Sequence, residues 1–505
     1  MLIYHESLFS SYYMKSWQHQ MNNGKALISN SLLILVSQAI SIFLSLFMSI
    51  IIARYLGPTE FGIYALLISI QNIFILFSNF GFPIGLAKYI SQFLEKDKYK
   101  AYFIAKRGFT LLLLTTMISI VIYLVLSNFI GDELYHEHLI SQLILYSCLV
   151  VLGAALLSAI LGIAQGCQRI GLLALAQTLL SILSLTFIII LFPYLGIIGI
   201  LIGIFISQII VFLIVLQRII SKEFTFRIRF GKKSDMIGVQ HDFLRFSTLW
   251  LLSGLMVAPL LWIGNTQLTL KFGFEASGFF AIGYAFFGLI IIIPSSIAIP
   301  LMPAISSSEG IGSDRVELLI RNVLRYSSLV LLPLILALGL FSGLLIDVLF
   351  GSSFDPAVES VFLMLIAGYF YALSTPLCSF FTGSNKMRSY FLTHCTLASS
   401  FILLSFILVP IWGINGLCFS FIGAYILFFV NAAILSDKMN TKSYHHILPS
   451  LIYSSVFFSA GYALLILDSG LLEKSFLILT AIIVSFLTYK KEVVELYRYL
   501  SRKSS

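Results

Sequence analysis

The stretch 53-ARYLGPTEFGIYA-65 separates two apolar runs with an arginine, two glycines, a proline and a glutamate. The run before it, 31–52, and the run after it, 66–77, contain no charged residue. An apolar segment of about 20 residues is long enough to cross the hydrocarbon layer of a bilayer as a helix. Gly57 and Pro58 are residue types that turn a chain sharply. The stretch therefore predicts a hairpin between two membrane-spanning helices, with Glu60 facing water.

Composition extends this interpretation to the whole chain. Of its 505 residues, 59% are hydrophobic and 10% are charged, whereas soluble domains carry about 25% charged residues. Apolar runs long enough to span a bilayer recur throughout. The sequence predicts an all-α polytopic membrane protein with about 14 transmembrane helices, near residues 28–53, 61–87, 105–130, 139–163, 171–193, 196–218, 244–270, 278–303, 323–346, 359–383, 389–410, 413–436, 448–467 and 472–489.

Basic residues are distributed unevenly over the predicted loops. With a cytoplasmic N-terminus, three of the 31 basic residues fall outside, namely Arg54, Lys271 and Lys474. Lysine and arginine resist translocation, so this asymmetry predicts that both termini are cytoplasmic in a multi-pass protein of the cell (inner) membrane. The net charge of +9 then reflects membrane orientation and the attraction of anionic inner-leaflet lipids, rather than nucleic-acid binding.

Two parts of the chain match at a nearly constant offset. LFPYLGIIG at 191–199 aligns with LVPIWGING at 408–416, and LGPTEFGIYA at 56–65 aligns with FGFEASGFFA at 272–281. Six spans separate equivalent positions, so the sequence predicts two six-helix bundles of the same orientation, arranged as a parallel repeat, followed by two C-terminal helices. Structural turns are expected at Gly57, Pro58, Gly62, Pro193, Gly196, Pro410 and Gly413.

These boundaries divide the chain into six predicted parts. They are a cytoplasmic N-terminal extension (1–26), an N-terminal lobe with helices 1–6 (27–218), a basic cytoplasmic linker (219–243), a C-terminal lobe with helices 7–12 (244–437), helices 13–14 (438–489) and a basic cytoplasmic tail (490–505).

Two motifs resemble a known family. IIARYLGPTEFGIYALLISI at 51–70 and GFPIGLAKYIS at 81–91, with the repeated Pro-x-x-Gly-x-x-Gly segments, resemble the polysaccharide-type, O-antigen-like flippases of the multidrug/oligosaccharidyl-lipid/polysaccharide exporter superfamily. That superfamily also includes lipid II flippases and MATE drug exporters. The resemblance covers the chain from about residue 27 onward.

The resemblance implies a MATE-like arrangement of two bundles around a central cavity that opens alternately to either side. It implies a flippase that moves a polyprenyl-linked oligosaccharide to the outer leaflet for surface polysaccharide biosynthesis. Lipid-linked oligosaccharide, membrane lipids and glycan-assembly machinery are the implied partners, and a monomer is expected. Relatives commonly carry an acidic residue in helix 7 at about the position of Asn265, and asparagine cannot titrate.

Basic residues at the ends of the predicted spans are candidates for holding an anionic lipid-pyrophosphate headgroup. The alternative for each one is an interfacial anchor whose charged end reaches the membrane surface. These candidates are Arg54, Lys88, Lys106, Arg107 and Arg245. Arg54 has no basic equivalent in the second half, so it is also a candidate gate on the outer side.

Amides within the spans are candidates for bonding sugar hydroxyls in a wet cavity. Their alternative role is to bridge neighbouring helices by hydrogen bonds. Asn72 and Asn79 lie two helical turns apart on one face of helix 2 and are the preferred pair. The full set of candidate cavity-lining residues is Asn72, Asn79, Asn265 and Gln38.

Catalytic motifs are missing from the sequence, which predicts a transporter rather than an enzyme. No Walker motif is present for ATP hydrolysis, and no cofactor or metal site is predicted. The cluster 132-DELYHEH-138 is interpreted as a solvated hairpin rather than a metal site. Asp347 is interpreted as an interfacial acid, with ion or proton coupling as its alternative role. Two alternatives stay open: a MATE-like exporter of organic cations, which would need buried carboxylates, and a membrane glycan polymerase or ligase, which would need a large external loop.

Overall fold

The computed structural model describes residues 3–94, 97–223, 234–307, 313–384, 386–437, 448–467 and 469–488. The predicted basic tail and the middle of the predicted linker, 224–233, lie outside these residues. The described chain is helical, with α1 Ile3–Asn79, α2 Phe82–Phe93, α3 Lys98–Val125, α4 His138–Gly166, α5 Ile170–Glu223, α6 Ser234–Leu255, α7 Ala258–Phe272, α8 Phe274–Ser307, α9 Ser313–Leu340, α10 Ser342–Leu349, α11 Val358–Gly383, α12 Met387–Asp437, α13 Leu448–Ile466 and α14 Leu471–Thr488.

The predicted polytopic fold is confirmed. Ten helical segments of the described chain are long and apolar enough to cross a membrane. Three of them, Val36–Phe93, Ile170–Ile219 and Met387–Asp437, are 50 residues or longer and bend at an internal glycine, so each supplies two crossings. With the shorter apolar segment Leu451–Ile466, the described residues provide fourteen candidate crossings by length and composition, the number that the sequence predicts.

Glycines with left-handed backbone conformations produce the bends. Gly57 has φ 70° and ψ 177°, and its repeat equivalent Gly273 has φ 85° and ψ 172°. Gly196 and Gly413 form a second matched pair, with φ of 57° and 56°. A side chain would disfavour these angles, so glycine lets a long apolar segment reverse direction without a loop. The sequence repeat is therefore also a repeat of backbone geometry.

The other predicted turn residues lie in helices beside these bends. Pro193 and Pro410 are inside α5 and α12, one turn before the glycine that bends each helix. Gly62 was predicted as part of the first turn, but it lies in the helix that follows Gly57. The physical reason is that the missing side chain at Gly62 permits close helix packing, which is described below.

Contacts between bends show that they share one end of the bundle. The Tyr55 ring packs against Phe192, with centroids 5.6 Å apart, and a Cβ placed on Gly413 would lie 3.5 Å from the Phe272 ring. We call this the Gly57 end, defined by the bends at Gly57, Gly196, Gly273 and Gly413. The opposite end contains the connections that follow Phe93, Gly166 and Gly383.

Small residues allow close packing within each half of the chain. In the N-terminal half, α4 packs on α2, and a Cβ placed on Gly162 would lie 2.9 Å from the Cα of Pro83. In the C-terminal half, α11 packs against α8, α9 and α12. There Tyr369 hydrogen-bonds to Ser328 on α9 at 2.7 Å and to Ser454 on α13 at 2.8 Å, which attaches α13 to the second bundle.

Candidate functional site

A cavity of about 400 Å³ lies between the two halves of the chain. Both arms of the bent helix α1 form one side of it, and α7 and α8 form the other. The lining residues are Ile42, Ser45, Leu46, Met48, Ser49, Ile52, Phe61, Tyr64, Ala65, Ile68, Asn72, Leu261, Asn265, Phe280, Ala281, Tyr284, Ala285, Gly288 and Leu289. A cavity at the junction of two repeats is the usual place for a transporter substrate.

Repeat-equivalent residues line this cavity. Six pairs of lining positions are separated by the same offset of 216 that relates the two hairpins: Ser45 and Leu261, Ser49 and Asn265, Tyr64 and Phe280, Ala65 and Ala281, Ile68 and Tyr284, and Asn72 and Gly288. The positions are therefore symmetric, but the side chains are not. Hydrogen-bonding groups occupy only one member of several pairs, which allows the site to hold an asymmetric molecule in one orientation.

Asn265 is the most deeply buried amide in this lining. Its side chain is 2% exposed, and Oδ1 has no hydrogen-bond partner. Ser277 on α8 donates to the Asn265 backbone carbonyl at 3.2 Å and so fixes α7 against α8 at this level. Asn72, on the opposite wall, has an exposed side chain. A buried amide oxygen without a donor is costly, and a bound hydroxyl would relieve that cost.

Two glycines bring the two halves into close backbone contact at the Gly57 end. A Cβ placed on Gly62 would lie 2.7 Å from the Phe274 carbonyl carbon and 3.0 Å from the Gly278 nitrogen. A Cβ placed on Gly278 would lie 3.1 Å from the Pro58 carbonyl carbon. Gly62 and Gly278 are repeat equivalents at the same offset of 216, so the backbones of α1 and α8 touch across the pseudo-two-fold axis. Only hydrogen in both positions permits this approach.

Aromatic rings add to this contact between the halves. Phe354, in the 3₁₀ turn Ser352–Ala357, is fully buried. Its ring packs edge-on against Phe61 of the first half at a centroid distance of 6.1 Å and against Phe279 of the second half at 6.2 Å. The Phe354 ring therefore packs the first half against the second at this end of the molecule.

Tyr135 joins the halves at a second point. It follows the π-helical turn Phe129–Leu134, is 6% exposed, and lies within the segment that was predicted to be a solvated hairpin. Trp262 Nε1 donates to the Tyr135 hydroxyl at 3.0 Å, and that hydroxyl lies 2.6 Å from Thr266 Oγ1. Burial raises the pKa of Tyr135 above its ordinary value. The Thr266 hydroxyl donates to the Trp262 carbonyl at 2.7 Å, which leaves the Tyr135 hydroxyl to donate to Thr266. The polar neighbours Asp132 and His138 are exposed, as predicted, and pair at 3.0 Å.

Arg54 forms a third connection. Its Nε donates to the Leu349 carbonyl at 2.7 Å, and its Nη2 donates to the Val348 carbonyl. These carbonyls end α10, where unpaired backbone oxygens and the helix dipole favour a cation. The guanidinium therefore holds the first half of the chain to the second at the Gly57 end, as the gate hypothesis requires.

Replacing Arg54 by glutamine is expected to open the Gly57 end a few-fold more often. Each lost hydrogen bond to an exposed carbonyl is worth about 0.5–1.5 kcal/mol. Arg54→Lys should open this end to an intermediate extent, because an ammonium group cannot reproduce the paired hydrogen bonds of the planar guanidinium. The measurement is labelling of Ser49→Cys, a lining position, by a water-soluble maleimide in sealed vesicles with the Gly57 end facing the reagent. The unsubstituted chain supplies the background from the five native thiols.

Lys271→Gln is the matched control for Arg54. Lys271 is exposed at the same end, and its Nζ donates to the Pro410 carbonyl at 2.9 Å, a contact within the second half only. Its loss should leave Ser49→Cys labelling unchanged. Equal labelling in the Arg54→Gln and Lys271→Gln proteins would show that Arg54 does not hold the two halves together.

The other cationic candidates lie outside the cavity lining. The Lys88 ammonium lies 3.9 Å from the centre of the Phe246 ring, near the opposite end. This contact connects α2 of the first half to α6 of the second, beside the stacked pair Phe82 and Phe243. Lys106, Arg107 and Arg245 have exposed side chains.

The structure places some of the amide candidates in the cavity lining and others outside it. Asn72 and Asn265 line the cavity, on opposite walls. Asn79 instead accepts a 2.6 Å hydrogen bond from Ser158 on α4, which is the helix-bridging role. Asn79 lies two helical turns after Asn72, farther from the Gly57 end than the cavity, where α2 and α4 pack together. Gln38 is half-buried outside the described lining, and its Oε1 has no partner.

Sequence reasoning missed the residues that join the halves through Tyr135. Its position in a charged segment suggested exposure, whereas the aromatic ring between Leu134 and His136 was the available signal of burial. It also missed Glu359, which accepts a hydrogen bond from Asn415 and lies beside Tyr462 in the second half. No sequence motif distinguishes Glu359 from the acidic residues that commonly occupy the first turn of a helix.

The chain resembles solved transporters over most of its length. A lipid II flippase, MurJ, in an inward closed conformation superposes with a TM-score of 0.68 at 16% identity, covering 93% of this chain and 99% of that one. A multidrug resistance MATE family transporter of the MOP superfamily, in an inward-facing conformation, gives 0.64 at 18% identity, covering 80% and 95%. A MOP superfamily transporter from Pyrococcus furiosus gives 0.62 at 17% identity, covering 86% and 96%.

These likenesses show a shared fold, and the sequence itself identifies the family. No curated protein matches the chain. The family model described as "Polysaccharide biosynthesis protein" matches residues 27–309, which include the first bundle, the linker and the helices that form both walls of the cavity. The chain therefore belongs to the polysaccharide biosynthesis protein family and has the fold of the MOP-superfamily transporters.

Proposed function

We propose that this protein moves a lipid-linked oligosaccharide, a glycan on a polyprenyl phosphate or pyrophosphate, from the cytoplasmic to the outer leaflet for surface polysaccharide biosynthesis. The observation that carries the proposal is the cavity between two repeat-related halves, with contacts at the Gly57 end that cross between them. Such contacts can break without unfolding either half. The family match supplies the link to polysaccharide.

The physical task is to carry hydroxyl groups across hydrocarbon. Each sugar hydroxyl that leaves water without a partner costs a few kcal/mol, about 1–3 by mutational measures. A cavity with amides and hydroxyls replaces those lost bonds, while the polyprenyl tail stays in lipid. Moving the halves as rigid bodies exposes the cavity first to one side and then to the other.

The distribution of basic residues supports the orientation. It assigns the Gly57 end to the outside and both termini to the cytoplasm. We propose that the halves are the two predicted lobes, 27–218 and 244–437, and that the protein works as a monomer in the cell membrane. The closely packed Gly57 end then corresponds to a state that is closed toward the outside.

A disruption strain tests the function directly. Lipid-linked glycan is expected to accumulate on the inner leaflet and surface polysaccharide to disappear, with both restored by the wild-type gene. Normal surface polysaccharide together with greater sensitivity to cationic dyes would overturn the proposal in favour of an organic-cation exporter. The cavity argues against that exporter, because no carboxylate is among the lining residues that the structure describes.

Lys88 and Arg245 are proposed to hold the phosphate groups as the lipid enters from the cytoplasmic side. Lys88→Ala and Arg245→Ala are each expected to lower flipping several-fold, and the double substitution about tenfold or more, because charge-assisted bonds to phosphate contribute about 1.5–3 kcal/mol. Flipping is measured with reconstituted protein and a fluorescent polyprenyl-diphosphate sugar. Lys386→Ala, an exposed lysine beside the connection after Gly383, serves as the control. Full activity of the double variant at equal protein amount would identify both residues as interfacial anchors.

A further inference from the structure

We infer that the cavity binds uncharged sugar residues of the lipid-linked glycan, and that the phosphate groups of the same molecule stay outside it. This inference rests on the proposed function and names the substrate class of the same site. It follows from the absence of charge in the described lining and from its amides, hydroxyls and aromatic residues.

The cavity lining is polar but carries no charge in the part of the chain that the structure describes. Its hydrogen-bonding side chains are hydroxyls and amides: Ser45, Ser49, Tyr64, Tyr284, Asn72 and Asn265. A uronic acid or other acidic sugar would bring a carboxylate into this cavity, whose described lining offers no cation to pair with it. Such a charge is strongly disfavoured there. A neutral sugar brings only groups that hydroxyls and amides can satisfy.

Asn265 supplies a specific acceptor for such a sugar. It is 2% exposed, and its Oδ1 lacks a donor in the described structure. Oδ1 is closed off from solvent in this structure, so a sugar hydroxyl, which is a suitable donor, would reach it when the two halves move apart. Asn72, exposed on the facing wall, offers both a donor and an acceptor to the same molecule. The two amides thus contact the substrate from both halves of the chain.

Aromatic rings complete the recognition of a sugar. Phe61, Tyr64, Phe280 and Tyr284 are among the lining residues. A pyranose has one face of C–H groups and a rim of hydroxyls, so it matches a wall that combines apolar with polar side chains. A phosphate group has no apolar face and gains nothing from these rings.

The covalent structure of the substrate agrees with this placement. The tail must remain in lipid, and the phosphates join it to the first sugar. When the glycan fills the cavity, the phosphates therefore lie toward its edge. The exposed cations Lys88 and Arg245 lie outside the lining, so the glycan and the phosphates are held by different parts of the protein.

The test compares two lipids that differ in one charge. Wild-type protein is reconstituted into vesicles with a fluorescent polyprenyl diphosphate that carries a neutral trisaccharide, or the same trisaccharide with one hexose replaced by its uronic acid. The neutral lipid is expected to flip at least about tenfold faster. Equal rates, or faster flipping of the acidic lipid, would overturn the inference and leave the proposed function standing. Flipping of neither lipid would overturn both.

Two substitutions locate the preference in the cavity. Asn265→Leu keeps similar volume but removes the acceptor, and is expected to slow the neutral lipid about tenfold. Asn72→Lys places a cation at an exposed lining position, where folding tolerates it, and is expected to reverse the preference toward the acidic lipid. An unchanged preference in Asn72→Lys, at equal amounts of folded protein, would show that the cavity does not select glycan charge.

Discussion

Alanine in place of Gly62 or of Gly278 is expected to lower the proposed flipping activity about tenfold or more, while the protein still inserts and accumulates normally. Each added methyl group would lie within 3.1 Å of backbone atoms on the opposite half, and backbone cannot rotate aside as a side chain can. Overpacking of this kind costs about 1–3 kcal/mol, and about 1.4 kcal/mol changes a population tenfold. The cost falls only on the state that is closed at the Gly57 end. A transport cycle that rarely reaches this state is slow.

Labelling of Ser49→Cys separates this effect from misfolding. In sealed vesicles with the Gly57 end facing the maleimide, Gly62→Ala and Gly278→Ala should increase labelling about tenfold, more than Arg54→Gln does. Gly343→Ala is the matched control, since Gly343 lies in α10 near the same end and a Cβ there meets nothing within 4 Å. If the Gly62 and Gly278 variants flip normally, the contact between α1 and α8 is not part of the transport cycle.

Membrane crossings and bends could be predicted from the sequence because both depend on local chemistry. Hydrocarbon selects long apolar helices, and glycine at Gly57 or Gly196 marks a backbone angle that other residues resist. The sequence repeat then predicts that the chain forms two bundles related by symmetry. Gly62 is a glycine in the same hairpin motif as Gly57, but it lies in a helix and is glycine because the neighbouring backbone comes too close for a side chain.

The candidate site was less predictable because it depends on which helix faces meet. Asn72 and Asn79 lie on one face of one helix, yet one meets the cavity and the other meets Ser158. Neither spacing nor hydropathy distinguishes these neighbours. The same holds for Tyr135, whose burial results from Trp262 and Thr266, more than 120 residues away in the chain.

Leucine in place of Gly162 is expected to reduce the amount of folded protein severely, in contrast to the substitutions at Gly62 and Gly278. A Cβ on Gly162 would lie 2.9 Å from Pro83 Cα and 3.0 Å from its carbonyl carbon, so α4 and α2 would have to separate. The larger leucine side chain should cost about 3 kcal/mol or more. The unfolding temperature of purified protein and its amount in the membrane should both fall. Gly171→Leu, in the same half with nothing within 4 Å of its Cβ, should match wild type.

Substitutions at Gly162 and at Gly62 are expected to have different effects because only the Gly62 contact lies at the interface between the two halves. Gly162 contacts Pro83 within the first half, so this contact must persist in every state of the cycle. A larger residue at Gly162 therefore destabilises all states equally. Gly62 contacts Phe274 and Gly278 in the second half, so its loss penalises one state only. Surviving Gly162→Leu protein should therefore show wild-type labelling of Ser49→Cys. A wild-type unfolding temperature together with increased Ser49→Cys labelling would instead show that the α2–α4 contact changes during transport.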